Sequence, residues 1–290
     1  MLLSRLTENA YKTAVITGAS SGIGRETAIV FFKAGWNVVI IAPGRDALET
    51  TRNKALETAL SGPPKISVIA GSVTDEAFVE DLFAQVQREF GRIDVLFNNA
   101  GITATPALLE DVTLQTFQDV ISVNVTGAFL CSRAAFRVFK SQNPMGGRII
   151  NNGSITVRTP RPGSVAYTVS KHAITGLTRT TALDGRAFNI ACSQIDIGKQ
   201  DSLCSSCHTT RSGVPLSSFP DGVAGSRTMP EAKIDVRYVA EAVVYMASLP
   251  TNVSVPEMCI MYANVCVFWR CRADNFMPRP TAAPSFVGRG

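Results

Sequence analysis

Short apolar runs alternate with longer segments of helical periodicity over most of the chain. The runs contain few polar residues and are predicted as strands: Thr13–Thr17, Asn37–Ile41, Ile66–Ala70, Ile93–Phe97, Arg148–Asn151, Ile190–Ile195 and a last one near Glu257–Tyr262. Strands that lack alternation are buried on both faces, as in parallel sheets covered by helices. The pattern therefore predicts an α/β fold with a doubly wound parallel sheet in three α/β/α layers.

The segments between these strands carry apolar residues at helical spacing. The predicted helices are Ile23–Ala34, Ala47–Leu60, Asp75–Phe90, a long helical region Thr113–Lys140, Ser164–Arg186 and Val236–Ser248. Gly35 and Gly91 are expected to end the first and third helices, and Asp46 to cap the second. No repeat or linker interrupts the pattern before residue 198. We expect one domain over residues 1–290, with irregular segments at about 199–230 and 263–285.

Composition limits the class of protein. The 290 residues are 46% hydrophobic and 18% charged, which supplies a core and argues against disorder. No apolar run reaches the roughly 20 residues of a membrane helix, and the first residues lack the apolar core of a signal peptide. We expect a soluble, cytoplasmic protein that binds no membrane. The net charge of +5 forms no basic stripe, so no nucleic acid is expected as a partner.

A glycine-rich turn joins the first predicted strand to the first predicted helix. It reads Thr17-Gly18-Ala19-Ser20-Ser21-Gly22-Ile23-Gly24. Gly18 permits a tight turn, Gly22 lets backbone amides approach a phosphate, and Gly24 lets the helix lie close to the strand. A pyrophosphate would then sit at the positive end of the helix dipole. The turn therefore indicates nucleotide binding.

The same turn also matches the Gly-x-Ser-x-Gly form of a hydrolase nucleophile elbow, with Ser20 as the nucleophile. A serine hydrolase needs an acid and then a histidine further along the chain. The chain has only His172 and His208, and the first strand is an unusually early place for an elbow. The pattern favours nucleotide binding over hydrolysis.

The residues after the second strand bear on the choice of dinucleotide. A site for NAD carries Asp or Glu about 20 residues beyond the first glycine, where it binds the ribose 2′-hydroxyl. Here no acid follows the strand, and Arg45 comes just after it. A guanidinium can pair with a 2′-phosphate, although Arg45 could also be a solvated loop residue. NADP(H) is the expected cofactor, with NAD(H) as the alternative.

Tyr167 and Lys171 lie four residues apart, on one face of a predicted helix. A neighbouring ammonium favours the phenolate form and moves the pKa of a phenol toward the range useful for proton transfer. Ser154 follows the strand Arg148–Asn151, and ligand sites collect at the carboxyl ends of such strands. The three residues together indicate acid–base chemistry at one site.

These motifs together resemble the short-chain dehydrogenase/reductase family. The resemblance runs in order from about Thr13 to Gly198 and resumes near Val236, and it rests on the glycine turn, Asn98-Asn99-Ala100-Gly101, Asn124, Ser154 and Tyr167-x-x-x-Lys171. It implies a Rossmann-like fold that binds NADP(H) or NAD(H). It also implies an oxidoreductase that interconverts a carbonyl and a secondary alcohol.

The resemblance further implies a role for each residue. Tyr167 would exchange a proton with the substrate oxygen, Lys171 would assist Tyr167 and bind the nicotinamide ribose, and Ser154 would polarise the carbonyl. Asn124 would hold a water that links Lys171 to solvent, although an asparagine there could also simply bond backbone. The expected cofactor-binding residues are Gly18, Ser20, Ser21, Gly22, Ile23, Gly24, Arg45, Ser72, Val73, Asn98, Ala100, Gly101, Asn124, Tyr167, Lys171 and Ile197.

Three stretches depart from the family's pattern. Ser72-Val73-Thr74 stands where many relatives have an aspartate that contacts adenine. Lys199–His208 follows Gly198, where relatives continue with a substrate lid, and neither it nor Val265–Pro284 has a helical or strand period. We favour the hypothesis that both irregular stretches are foreign inserts, such as translated intron sequence.

The irregular stretches also contain two formal metal motifs. Cys204-x-x-Cys207-His208 matches a haem attachment motif, and Cys266 and Cys271 could join it in a zinc site. Haem attachment needs an exported chain, and the spacing of the last two cysteines is loose for zinc. We expect no metal. Elsewhere, Cys131 and Cys192 are predicted to be buried free thiols.

The expected substrate is a small lipophilic molecule, because the catalytic residues have apolar neighbours and Pro160-Arg161-Pro162 lies beside them. A tailoring step in secondary metabolism is consistent with such a substrate. The alternative is a non-catalytic nucleotide-binding sensor or scaffold of the same fold, against which the intact set of catalytic residues argues. The resemblance allows a homodimer or homotetramer, although the atypical tail lies where relatives often form a subunit interface.

Overall fold

A computed structural model describes residues 11–59, 64–201 and 233–263 as alternating strands and helices. The strands are β1 (Thr13–Thr17), β2 (Asn37–Ala42), β3 (Ile66–Ala70), β4 (Val95–Asn98), β5 (Gly147–Asn152), β6 (Ile190–Ile197), β7 (Gln200–Asp201), β8 (Ile234–Asp235) and β9 (Glu257–Ile260). The α-helices are α1 (Gly22–Lys33), α2 (Arg45–Leu56), α3 (Glu76–Phe90), α4 (Leu114–Ile121), α5 (Ala128–Ser141), α6 (Val165–Asp184) and α7 (Val236–Ser248). Each predicted strand is found within two residues of its predicted bounds.

Seven strands form one parallel sheet in the order β3-β2-β1-β4-β5-β6-β9. The predicted α/β fold with a doubly wound parallel sheet is therefore confirmed. The strand order reverses between β1 and β4, so the loops that leave their carboxyl ends diverge and open a crevice, where ligands bind in such sheets. Strands β7 and β8 form a separate two-stranded ladder after β6.

Helices cover both faces of the sheet, because alternate residues of each central strand point to opposite sides. Ile16 of β1 faces a core that it shares with α1 and α7, whereas the neighbouring Val15 faces a core with α3 and α5. Helices α1 and α7 contact each other directly. Phe31 and Phe32 of α1 and Val243 of α7 are buried in this shared core.

Two helical segments differ from the prediction. Helix α2 begins at Arg45 with Gly44 as its cap, so Asp46 lies inside the first turn and does not cap the helix. The long helical region predicted from Thr113 to Lys140 is interrupted by a π-helical segment, Ser122–Gly127, between α4 and α5. Such wide turns occur frequently at functional sites, and this one contains Asn124.

The predicted irregular segments fall largely outside the described residues. Gln200 and Asp201 belong to β7 and pair in parallel with β8, a short strand that the sequence pattern does not predict. Residues 202–230 and 264–285 of these segments lie outside the described part of the chain, and the hypothesis of foreign inserts stays a prediction.

Two further expectations concern the described residues. None of the helices in the described ranges is both long and apolar enough to cross a membrane. Cys131 and Cys192 are free and buried, as predicted, and burial raises the pKa of each thiol to about 12. Both thiols therefore stay protonated at neutral pH and are poor nucleophiles.

Candidate active site

The glycine turn after β1 has the geometry expected of it. Gly18 and Gly22 have φ values of +65° and +53°, which side-chain-bearing residues rarely adopt. A Cβ on Gly18 would lie 2.8 Å from the Cα of Ala100, and one on Gly24 would lie 2.3 Å from the carbonyl oxygen of Gly18. Glycines at these positions therefore let α1 and the loop after β4 approach the turn.

The side chain of Asn99 holds the turn against the loop after β4. Its Nδ2 donates to the carbonyl oxygens of Thr17 and Gly18 at 3.0 and 3.2 Å. The hydroxyl oxygen of Thr17 accepts in return from the backbone amides of Asn99 and Ala100, each at 3.0 Å. Asn99 belongs to Asn98–Gly101, the stretch that by the family resemblance would support the sheet beside the adenosine side, although Asn99 was not among the expected cofactor-binding residues.

Asn98, which was expected to bind cofactor, contributes to the interior of the sheet. Its Nδ2 donates to Oδ1 of Asn151 at 2.9 Å and to Oγ of Ser132 at 2.8 Å, so it joins β4, β5 and α5. Only 5% of Asn98 is exposed. These contacts connect the strands on which the neighbouring site residues stand.

Two arginines lie at the β2 side of the turn. Arg45 is the first residue of α2, beyond the carboxyl end of β2; its side chain is 64% exposed, with Nη1 3.7 Å from Oε1 of Glu49. Arg25, which the sequence did not single out, donates from Nε to Oγ1 of Thr51 at 3.1 Å and from Nη2 to the carbonyl oxygen of Ser20. Positive charge therefore borders this side of the turn.

Ser72 and Val73 lie in the loop after β3, the edge strand next to β2. The hydroxyl of Ser72 is 2.8 Å from that of Thr74. Val73 is buried against the π-helical segment, where a Cβ on Gly127 would lie 2.6 Å from Cγ2 of Val73. Both residues stand at the carboxyl edge of the sheet, away from the residues that surround Tyr167.

Asn124 is buried in the π-helical segment, and its side chain forms hydrogen bonds with the loop after β4. Its Nδ2 donates to the carbonyl oxygen of Ile102 and to Oγ of Ser170, both at 3.0 Å. Its Oδ1 accepts from the backbone amide of Ile102 at 2.7 Å. The side chain thus connects α6, which carries the candidate catalytic residues, to the Ala-Gly-Ile stretch beyond β4.

Lys171 is buried behind Tyr167 on α6. Its Nζ donates to the carbonyl oxygen of Asn152 at 2.7 Å and lies 5.4 Å from the centre of the Tyr167 ring. Burial lowers the pKa of Lys171 to about 8, and the nearby charge of Asp196 partly opposes this effect. The same Asn152 donates from Nδ2 to Oδ1 of Asn99 at 2.9 Å, so the lysine and the glycine turn share a support.

Ser154 begins a short 3₁₀ turn, Ile155–Val157, after β5. Its hydroxyl lies 2.6 Å from that of Thr156 and accepts from the Thr156 amide at 3.2 Å. Its own backbone amide donates to Oδ1 of Asp196 at 3.0 Å. Thr156 and Asp196 thus hold Ser154 from two sides, and the sequence assigned a role to neither.

One pocket of about 910 Å³ lies at the carboxyl ends of β5 and β6. Ser154, Tyr167, Ile197 and Ile23 all line it, so two predicted catalytic residues and two predicted cofactor residues meet there. Lys171 does not line the pocket, but it donates to the carbonyl oxygen of Asn152, which does. The pocket does not extend to Arg45, Ser72 or Val73, which lie toward the other end of the sheet edge.

Other candidate sites have less support. His172 is exposed on α6, and its Nδ1 is 2.8 Å from the carbonyl oxygen of Thr168 on its own helix. Over residues 11–59, 64–201 and 233–263, no group of three or more His, Cys, Asp and Glu side chains could hold a metal ion. The cysteine and histidine motif Cys204–His208, with Cys266 and Cys271, lies outside these ranges.

Comparison with known proteins agrees with this geometry. Residues 12–205 match the family model described as short chain dehydrogenase. A farnesol dehydrogenase of Aedes aegypti is 30% identical over 260 residues, which are 87% of this chain and 96% of that protein. An uncharacterized oxidoreductase of Bacillus subtilis is 31% identical over 242 residues, 82% of this chain and 91% of that protein. The crystal structure of levodione reductase matches with a TM-score of 0.76 at 25% identity, covering 86% of this chain and 96% of that one.

Proposed function

This chain belongs to the short-chain dehydrogenase family, and we propose that it is an NADP(H)-dependent oxidoreductase interconverting a carbonyl and a secondary alcohol on a small lipophilic molecule. One observation carries the proposal. Ser154 and Tyr167 line the same pocket, and the buried amine of Lys171 lies directly behind the Tyr167 ring. A hydroxyl donor, a phenol and an ammonium are the groups that proton exchange with a carbonyl oxygen requires.

The glycine turn fits a dinucleotide phosphate. Gly18 and Gly24 lack side chains where a Cβ would collide with backbone, and the turn opens directly into the N-terminus of the twelve-residue helix α1. Backbone amides and the helix dipole favour an anion at that place. NADP(H), when bound, supplies the hydride. Ile23 and Ile197, two of the expected cofactor-binding residues, line the pocket.

Each catalytic residue has a limited task in this proposal. Tyr167 gives its proton to the substrate oxygen during reduction and takes it back during oxidation. Ser154, whose hydroxyl is held by Thr156, donates a hydrogen bond to the same oxygen. Lys171, as an ammonium, stabilises negative charge on Tyr167.

The preference for NADP(H) over NAD(H) rests on charge. No acidic residue ends β2, and Arg45 begins α2 with most of its side chain in solvent. Arg25 adds a second cation beside the turn. A 2′-phosphate gains from such cations, whereas the 2′-hydroxyl of NAD(H) is bound best by a carboxylate.

The lipophilic substrate is supported by the pocket and by one relative. Apolar side chains make up much of its lining: Ile23, Pro106, Val112, Ile155, Pro162, Val165, Ala166 and Ile197. Farnesol dehydrogenase is the name of a relative that matches most of the chain. We extend the proposal to a tailoring step in secondary metabolism, a part that rests on the apolar lining alone.

The decisive experiment compares the wild-type chain with Tyr167→Phe. We expect the wild type to oxidise NADPH in the presence of lipophilic ketones, followed by absorbance at 340 nm. Phe lacks the proton donor, so kcat should fall at least about a hundredfold while NADPH affinity, measured by fluorescence, stays within about twofold. Equal turnover by both proteins would refute the proposed chemistry. Tight NADPH binding without turnover of any ketone or alcohol would favour the sensor or scaffold alternative.

A further inference from the structure

A buried carboxylate lies under the candidate active site. Asp196 is the penultimate residue of β6, and its side chain is fully shielded from solvent. Its Oδ1 accepts from the Ser154 backbone amide at 3.0 Å and from Nε2 of Gln194 at 2.7 Å. A buried ionisable group is costly unless its hydrogen bonds and charges are matched. The chemistry proposed above assigns no task to it.

Asp196 holds both ends of the turn that carries Ser154. Ser154 precedes this 3₁₀ turn, Ile155–Val157, and Arg158 follows it. Oδ1 binds the Ser154 amide, and Oδ2 lies 3.3 Å from Nη1 of Arg158. A Cβ on Gly153 would lie 2.1 Å from Oδ1, so the carboxylate fills space that only a glycine leaves open. Asp196 therefore accepts a hydrogen bond at the start of the turn and forms an ion pair with the residue that follows its end.

The charged and titratable groups around Asp196 come from three neighbouring elements. Arg158 lies on the turn after β5, Lys171 on α6, and Cys259 opposite Asp196 on β9. Glu257 of β9 forms an ion pair with Arg158 from the solvent side. The negative charge of Asp196 favours protonation of Lys171, whereas burial opposes it. Among these groups, Asp196 is the one carboxylate that is fully buried and close enough to influence the lysine.

We propose that Asp196 is a positioning residue: its buried carboxylate contacts the Ser154 amide and Arg158 and so fixes the turn that presents Ser154 to the substrate. The negative charge of the same carboxylate also acts on Lys171, whose ammonium form it favours against the effect of burial. The inference rests on the proposed function, because it takes Ser154 and Lys171 as groups that serve the reaction. It adds a buried acid, contributed by β6, to the residues on which the activity depends. Asp196 acts through its neighbours and does not touch the substrate.

The test uses Asp196→Asn, which keeps an oxygen for the Ser154 amide but removes the charge. We expect kcat for carbonyl reduction to fall about tenfold, with the KM for NADPH changed less than about twofold. The alkaline limb of the pH profile should move down by about half a unit or more, because Lys171 loses its proton more readily. Glu257→Gln is the matched control; it removes a carboxylate from the exposed side of Arg158 and should leave the limb in place.

A second variant removes the positive charge that is paired with Asp196. In Arg158→Gln the negative charge of Asp196 is no longer balanced, which favours the ammonium form of Lys171 more strongly. The alkaline limb should therefore move up, opposite to its movement in Asp196→Asn. This variant decides the question if Asp196→Asn does not fold. A fall in kcat with an unmoved limb in Asp196→Asn, or limbs that move the same way in both variants, would overturn the inference.

A readout without turnover separates this inference from the proposed function. In protein with ¹³C-labelled lysine, the Cε resonance of Lys171 reports its ionisation, and Lys171→Arg assigns the signal. The titration midpoint should be lower in Asp196→Asn than in the wild type. A lowered midpoint in a chain that reduces no carbonyl would refute the proposed function while confirming that Asp196 acts on Lys171. An unchanged midpoint would refute the inference.

Discussion

Lys171 is a buried cation, and burying its charge lowers the stability of the folded state. Its side chain is 5% exposed, and burial brings its pKa to about 8. An unfolded chain would bind that proton with a pKa of about 10.4. The folded state therefore binds the proton less tightly than the unfolded state does, which costs stability below pH 8. The cost disappears as the pH rises through the unfolded pKa.

Lys171→Met should consequently stabilise the protein while removing activity. At pH 7 we expect the free energy of unfolding to rise by about 1–3 kcal/mol, after allowance for the lost hydrogen bond to Asn152. Near pH 10 the gain should shrink toward zero. Urea denaturation at both pH values measures it, with the exposed Lys33→Met as the control, expected within about 0.5 kcal/mol of wild type. A gain that is the same at both pH values would argue against this explanation.

Arg45 is the residue on which the choice of cofactor depends. Arg45→Glu should weaken NADPH binding about tenfold or more, because it replaces attraction to the 2′-phosphate by repulsion, and should leave NADH affinity nearly unchanged. Fluorescence titration with each nucleotide measures both constants. Arg52→Glu, on the same helix and also beside Glu49, is the matched control. Equal losses for the two nucleotides, or equal losses in both variants, would contradict the assignment.

At the scale of elements, the sequence predicts the positions of strands and helices well. It predicts helix caps and the π-helical segment less well. Apolar runs and left-handed glycines mark β1, β2 and the end of α3 closely. The π-helical segment Ser122–Gly127 has no local sequence signal. Its Asn124 bonds Ile102 and Ser170, which are distant in sequence, and such contacts are not visible in a local pattern. Asp46 resembles a cap by residue type, yet α2 begins earlier, at Arg45.

Helix α1 depends on a glycine at its third residue. Gly24→Ala would place a Cβ 2.3 Å from the Gly18 carbonyl oxygen and 2.5 Å from Nδ2 of Asn99. We expect a loss of about 1–3 kcal/mol in the free energy of unfolding, together with weaker NADPH binding, because the turn must shift. Gly176→Ala is the matched control: this helical glycine of α6 has open space around it, and alanine should stabilise the helix by up to about 1 kcal/mol. Equal effects at both glycines would refute the packing argument.

At the scale of the whole molecule, the site is assembled by the strand order. The motif residues of the glycine turn, Ser154, Tyr167 and Lys171 could be predicted because their local spacing is distinctive. Their supports could not: Asn99 and Asn152 are 53 residues apart, and they meet only because β1, β4 and β5 are neighbours in register. Asp196 is equally hidden, since nothing in its local sequence indicates that it binds the amide of Ser154.

Arg148 provides a comparable long-range link on β5. It is 4% exposed, and its Nη2 donates to the carbonyl oxygens of Leu249, Pro250 and Val253 beyond α7. Arg148→Met should lower the free energy of unfolding by about 1–3 kcal/mol, because three backbone carbonyls lose the donor that the buried Arg148 supplies. Thermal or urea unfolding measures the loss. Arg137→Met removes an exposed ion pair with Glu80 and should cost less than about 1 kcal/mol; a loss as large as that of Arg148→Met would contradict the argument.

The contact between α1 and α7 has a consequence for how the chain is made. About 200 residues separate the two helices, which at ribosomal rates of about 5–20 residues per second is roughly 10–40 s of synthesis. During that interval the core around Phe31 and Phe32 lacks the side chains that α7 contributes, such as Val243. The nucleotide-binding half is translated first, yet it completes its core last. We therefore expect nascent chains to become fully resistant to protease only after α7 has left the ribosome.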